Sequence, residues 1–329
     1  MKHKFKTLDG WRGISILCVL AGHLLPLGPN AWKMNSAVAS SGMVMFFILS
    51  GFLITHILLR DQNIVNFLIR RFMRIIPLAW LAIVITLTAF SADINTWVPH
   101  LFFYANSGEP MRLTDATSHF WSLCVEMQFY VLIAALVATL KSRAFMLLPV
   151  LCVAATAYRY INDVEISVIT YYRIDEILAG CILALLYHKD SETIKRFFKA
   201  INPVYLFPLL LLCSHMEGGY FNYLRPYVAM LMIGSTLYHA ETIWWNKILM
   251  NRVLVYIAAV SYALYIVHGV LSHTWLGDGD TLEKYLKRPL LFAATFGLAH
   301  LSTFYYEKYW INLGKRLTTR NRQPIVAKN

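Results

Sequence analysis

Apolar residues run along this chain in long stretches, broken by short polar gaps that hold most of its lysines and arginines. The runs near 13–27, 41–59, 75–92, 121–140, 144–161, 174–188, 203–216, 226–240, 253–273 and 289–307 read as bilayer-crossing helices, each needing about 20 residues. The pattern predicts an all-α membrane protein, a polytopic bundle of about ten transmembrane helices forming one domain over 1–329. Segment 97–105 is too short to cross, so 93–120 is expected to be an extended outer-side loop with an interfacial or re-entrant helix. Residues 312–329 read as a basic cytoplasmic tail.

Composition agrees with that pattern. Of 329 residues, 58% are hydrophobic and only 15% charged, and the mean hydropathy is +0.51. A soluble domain carries about 25% charged residues, so disorder, fibrous repeats and an ordinary cytosolic enzyme are set aside. A net charge of +12 would suit a nucleic-acid partner if it were clustered, but the cations lie in the gaps between apolar runs. With the N-terminus in the cytoplasm, 22 Lys and Arg fall inside and 8 outside. That asymmetry puts both termini in the cytoplasm and makes the lipid bilayer, not nucleic acid, the partner. Lys195-Arg196 and the tail cations read as sidedness anchors.

A basic start, an apolar 14–27 and Ala37-Val38-Ala39 imitate a secretory leader and its cleavage site. Nine further spans, and His23 inside the supposed leader, favour a retained first helix. There is no internal repeat to support an inverted-repeat transporter. The five Cys are odd in number, lie in apolar stretches and lack CxxC spacing. They read as small core residues, with Cys124 the weak candidate for a thioester carrier; no metal site is expected.

Ionisable groups inside spans are costly and point to function. Arg12 and His23 lie eleven residues apart, which returns to within about 20° on a helix with about 16 Å of rise between them. His23 is then toward the outer half, either as a satisfied bundle histidine or as a reactive one. Glu126 lies about two turns into the fourth long span, with Ser122 one turn before it on the same face. A His23–Glu126 pair would satisfy both groups and suit a general base oriented by a carboxylate; a structural ion pair, or Glu126 with Arg173, are the other readings. Arg70, Arg71 and Arg74 can share a helix face suited to phosphate, or serve as a topology anchor. Ser50-Gly51 amid aromatics allows close backbone approach or a local opening. Ser261, Tyr265 and His268 share a face, and Asp175 follows Arg173 at the head of the sixth span.

These pieces in their order resemble acyltransferase family 3, the integral-membrane O-acyltransferases of bacterial envelopes and their phages. The matching residues are Leu8-Asp9-Gly10-Trp11-Arg12-Gly13-Ile14 with His23 beyond, the Phe46–Ile54 segment, and Arg70-Arg71-x-x-Arg74-Ile75-x-Pro77. Trp121-Ser122-Leu123-x-Val125-Glu126-x-Gln128-Phe129-Tyr130 follows, then Arg173-x-Asp175 with Gly180, and Ser261-Tyr262-x-Leu264-Tyr265-x-x-His268. The family's late Glu-x-Pro pattern stands here as Glu307-Lys308-Tyr309, without the proline.

The resemblance implies a ten-helix bundle in the bacterial inner membrane that moves an acyl group, commonly acetyl from acetyl-CoA, to a sugar hydroxyl. The acceptor is an O-antigen or exopolysaccharide, or its lipid-linked precursor. Without an added hydrolase-like domain in these residues, the short stand-alone form is expected. No cofactor stays bound; acyl-CoA is a co-substrate, and a homodimer stays open. On this reading Arg70, Arg71 and Arg74 hold the donor's phosphates at the inner mouth with Arg12 nearby. The pantetheine arm reaches toward His23, which acts as base with Glu126 orienting it. Ser50, Gly51, Trp121, Ser122, Gln128, Tyr130, Arg173, Asp175 and His268 position the acceptor or support the site. An acyl-His23 or acyl-Ser intermediate is the other chemistry. The rival class is a transporter or flippase for lipid-linked sugar with His23 and Glu126 as proton relay; another acyl group or a small-molecule acceptor is the third reading.

Overall fold

A computed structural model of the chain describes residues 5–108 and 111–320. Every regular element among the described residues is helical. In chain order they are α1 (Lys6–Leu24), α2 (Met34–Arg60), α3 (Ile64–Ala89), α4 (Ile94–Leu101) and α5 (Trp121–Leu140). Next come α6 (Ala144–Ile161), α7 (Thr170–Lys189), α8 (Glu192–Ala200), α9 (Pro203–Ser214) and α10 (Arg225–Tyr238). The last four are α11 (Trp244–Leu249), α12 (Arg252–Ser272), α13 (Thr281–Leu301) and α14 (Lys308–Arg320).

Four helical runs among the described residues are long and apolar enough to cross a membrane: α2, α3, Asp115–Ile161 and α12. The bent pair α8–α9, turned by 74°, makes a fifth if taken as one span. The Asp115–Ile161 run turns at Lys141, whose φ is 52°, and α5 touches α6 beyond it. Large apolar side chains on the outside follow helical spacing, as with Trp80, Val84 on α3 and Met146, Val150, Val153 on α6. An apolar exterior of that extent is what lipid, rather than water, tolerates.

The core centres on α2, which packs most extensively on α1 and α7. Small residues let the backbones close up. A Cβ on Gly51 would stand 1.9 Å from the Ile177 carbonyl oxygen, and one on Gly180 would stand 2.1 Å from that of Ile48. Only hydrogen fits on either side of this crossing. α1 is fixed against α10 by the Trp11 indole, which donates to Thr236 Oγ1 at 3.0 Å.

The loop 93–120 contains α4 and a 3-10 turn at Asp115–Phe120. His100 ties the two together, with Nε2 2.8 Å from Thr117 Oγ1. Past α13 the helix widens into a π turn at Ser302–Glu307 and continues as α14 against α3. Residues 312–320, the first part of the expected basic tail, are therefore helical and packed; 321–329 lie outside the described residues.

Candidate active site

Arg12, Arg71 and Arg74 converge on one cavity of about 110 Å³ that also receives Glu126, Ser50 and Tyr130. Each comes from a different constraint. Trp11 is locked onto Thr236, and Arg12, about 100° further around the helix, lines the cavity with Asp9 3.6 Å away. Arg71 and Arg74 are one turn apart on α3 and share its inner face. The Arg71 guanidinium lies 5.9 Å from the centre of the Phe67 ring. Ser50 donates to Glu126 Oε1 at 2.6 Å, and the Tyr130 hydroxyl donates to the same oxygen. Three guanidinium groups and one carboxylate leave the cavity with a surplus of positive charge in apolar surroundings, which suits an anion.

The outer wall of the cavity is a hydroxyl relay. Ser122 donates to the Tyr265 hydroxyl at 2.7 Å, and Tyr265 donates to the His119 carbonyl. One turn beyond Tyr265 on α12, His268 puts Nε2 3.0 Å from His23 Nδ1, and the two rings stack at 5.2 Å with 14° between their planes. The histidine pair thus sits one layer of side chains beyond the end of the cavity, with the Tyr265 and His268 rings 5.6 Å apart.

The tautomers follow from hydrogen-bond accounting. His268 Nδ1 is 3.1 Å from the Leu264 carbonyl, which can only accept, so this nitrogen carries the hydrogen. In a neutral ring His268 Nε2 is then an acceptor, and His23 Nδ1 must donate to it. That leaves the lone pair on His23 Nε2, and His23 is exposed in the last turn of α1. An unprotonated imidazole nitrogen, oriented through its other nitrogen, is the arrangement of a general base.

Several expected placements are corrected by this geometry. His23 is held by His268, not by Glu126; the carboxylate is satisfied by Ser50 and Tyr130 inside the cavity. The His23–Glu126 relay that a transporter would need is therefore not formed. Glu126 does not pair with Arg173, which meets Glu176 at 3.1 Å. Arg70 does not join Arg71 and Arg74: it lies 100° from Arg71 around the helix, and its Nε donates to Thr318 Oγ1 of α14 at 2.9 Å. Gln128, two positions from Glu126, faces the opposite side and donates to the Phe103 carbonyl at 2.8 Å and to Asn106 at 3.1 Å. Gly51 faces the α7 backbone, not open space.

Asp175 and Arg173 belong to a buried charge network. Arg159 meets Asp175 at 2.6 Å, and Glu176 accepts from Arg225 at 2.7 Å as well as facing Arg173. Arg173 connects this network to the site through Trp121, whose ring centre is 5.1 Å from the guanidinium carbon. Trp121 in turn meets Phe47 of the cavity wall edge-on at 5.6 Å.

One residue was missed in the sequence, His119, and two that were named only as parts of a motif, Tyr262 and Glu307, prove to lie near the site. His119 packs its buried ring on His268 at 5.6 Å, with Nε2 lacking a partner. Tyr262 lines the cavity and donates to the Ile75 carbonyl at 2.6 Å. The π turn aims Glu307 inward, where Thr303 donates to it at 2.9 Å and the Arg74 charge is felt. Its inward placement in the π turn is reached without a proline after it.

The site is thus an arginine-lined cavity in a helical bundle, fit for an anion, with a histidine pair one side-chain layer beyond it. The sequence comparison carries this to the family: the model described as "Acyltransferase domain" matches residues 5–307, and the chain belongs to that family, acyltransferase family 3. It is 27% identical to the putative O-acetyltransferase SACOL0978 of Staphylococcus aureus (strain COL), over 83% of this chain and 52% of that protein. It is 24% identical to the peptidoglycan O-acetyltransferase OatA of Listeria monocytogenes, over 92% of this chain and 55% of that protein. It is 28% identical to the putative peptidoglycan O-acetyltransferase YrhL of Bacillus subtilis, over 79% and 47%. The chain thus spans about half the length of these relatives. No solved structure matches it.

Proposed function

We propose that this chain is an O-acyltransferase that moves an acetyl group from acetyl-CoA, on the cytoplasmic side, to a sugar hydroxyl of an envelope glycan on the outer side. The acceptor is a cell-surface polysaccharide of the O-antigen or exopolysaccharide type, or its lipid-linked precursor; two relatives named for peptidoglycan put a cell-wall glycan in the same class. The observation that carries the reading is the alignment of the Arg12–Arg71–Arg74 cavity with the His23–His268 pair one residue layer away.

The arginines hold the donor's phosphates, and the Glu126 carboxylate in the same cavity offsets part of their mutual repulsion. The acyl end lies toward the Ser122–Tyr265 wall. His23 Nε2 takes the proton of the acceptor hydroxyl as its oxygen attacks the thioester carbon. The carbon–sulfur bond breaks, and the departing thiolate receives that proton from His23. Ser122 and Tyr265, whose protons go to each other and to the His119 carbonyl, form the wall that separates the cavity from the histidine pair. His268 stays neutral and keeps the His23 ring aimed.

The same reading takes ten passes in the bacterial inner membrane with both termini cytoplasmic. The turn at Lys141, which makes two passes of the Asp115–Ile161 run, and the 22-to-8 split of cations support it. The test compares the envelope glycan by NMR with and without this gene. An O-acetyl signal that depends on the gene and is lost with His23→Ala supports the proposal; glycan unchanged in both strains removes it.

A further inference from the structure

A second cleft, of about 460 Å³, opens where α2, α7 and α10 end, with α8 along its rim. It shares no lining residue with the arginine cavity. Arg60 closes α2, and Lys195 and Lys199 come from successive turns of α8. Lys195 is already neutralised, bonded to Asp190 and to Glu192 at 2.9 Å each. Arg60 and Lys199 are exposed and form no ion pair among the described residues.

Cations in the last turns of helices are favoured by the helix dipole and by sidedness, and that alone would explain Arg60 and Lys199. It does not explain the wall between them. His56 is 8% exposed and, among the described residues, neither its Nδ1 nor the buried hydroxyl of Tyr238 has a hydrogen-bond partner. Both residues line the cleft. Two buried polar atoms without partners among the described residues, costly where unmet, and two cations without an ion pair around one void call for an anion with several acceptor oxygens. A carboxylate offers two oxygens and one charge; a phosphate diester offers two non-bridging oxygens in tetrahedral array with its ester oxygens, and a monoester offers three with up to two charges.

The surroundings also set the height of the cleft. α8 turns 74° away from α9, buries Phe198 by stacking it on Tyr238 at 5.0 Å, and leaves Phe197 55% exposed. An amphipathic helix of that kind lies along the membrane surface at the level of lipid phosphates. We propose that this cleft binds a phosphate group, carried by an anionic lipid headgroup or by a soluble phosphate ester, at a site separate from the donor cavity.

The test uses the purified full chain in phosphatidylcholine nanodiscs, with thermal unfolding read at constant ionic strength. Phosphatidylglycerol is added to the discs in one arm and inorganic phosphate to the buffer in the other. Stabilisation by phosphatidylglycerol alone identifies a headgroup as the source; stabilisation by both identifies the phosphate itself. In either case the Arg60→Gln/Lys199→Gln pair is expected to weaken the apparent affinity at least tenfold, while Arg74→Gln leaves it in place. Tyr238→Phe, which keeps the stacking, is expected to weaken it about threefold and serves if the double variant does not fold. Absence of stabilisation in both arms, an undiminished response in these variants, or a response lost with Arg74→Gln would each overturn the proposal.

Discussion

His23 Nδ1 and His268 Nε2 meet at 3.0 Å across the α1–α12 contact, and His268 Nδ1 faces the Leu264 carbonyl 3.1 Å away. With both rings neutral, this chain of bonds sets the tautomer of each and leaves the lone pair on His23 Nε2, the nitrogen proposed as the base. Replacing His268 should therefore damage the reaction through His23. His268→Ala is expected to lower kcat about 10²- to 10⁴-fold, and the double variant with His23→Ala should be no worse than His23→Ala alone. Additive losses, measured as acyl transfer by purified protein, would show that the two rings act separately.

Glu126 serves the cavity rather than the histidine. Glu126→Gln keeps its volume and can still accept from Ser50 and Tyr130, but removes the charge that offsets Arg12, Arg71 and Arg74. Its effect should appear mainly in the donor KM, with the pH profile of kcat unmoved. A shifted kcat profile with donor KM unchanged would return Glu126 to the base.

Arg71→Ala and Arg74→Ala are each expected to raise the donor KM, and added salt should reproduce part of the loss in the wild type. Arg70→Ala should not, because its Nε is engaged with Thr318 on α14. Steady-state kinetics with acyl-CoA varied separates the three.

The α2–α7 crossing leaves no room for a methyl group at Gly51, where the Ile177 carbonyl oxygen would stand 1.9 Å from it. Gly51→Ala should destabilise by about 1–3 kcal/mol or more, read as a lowered midpoint of thermal unfolding. An unchanged midpoint would mean that the two helices do not pack at this point.

Much of this site was legible along the chain because its members sit within single helices at fixed spacing. Arg71 with Arg74, Glu126 with Tyr130, and Ser261, Tyr265 with His268 follow from helical periodicity alone. What spacing could not give was which helix faces which. His23 and His268 are 245 residues apart, so their bond depends on α1 lying against α12. Arg70 was lost to the site because α14, a basic segment with few apolar residues, did not read as a packed helix. Span edges moved for a related reason: polar residues such as Asn35 and Ser36 extend α2 outward to Met34, well before its apolar run. His119 could have been noticed, since it stands two positions before the Trp121–Tyr130 segment, but its contact with His268 is again tertiary.

The most direct measurement of the central claim is transfer of label from acetyl-CoA to envelope glycan in inside-out membrane vesicles, where the donor has access to the cytoplasmic face. The wild type should label the glycan, Arg74→Ala should need more donor to do so, and His23→Ala should label nothing while inserting at normal abundance. Equal labelling by wild type and His23→Ala would contradict the account.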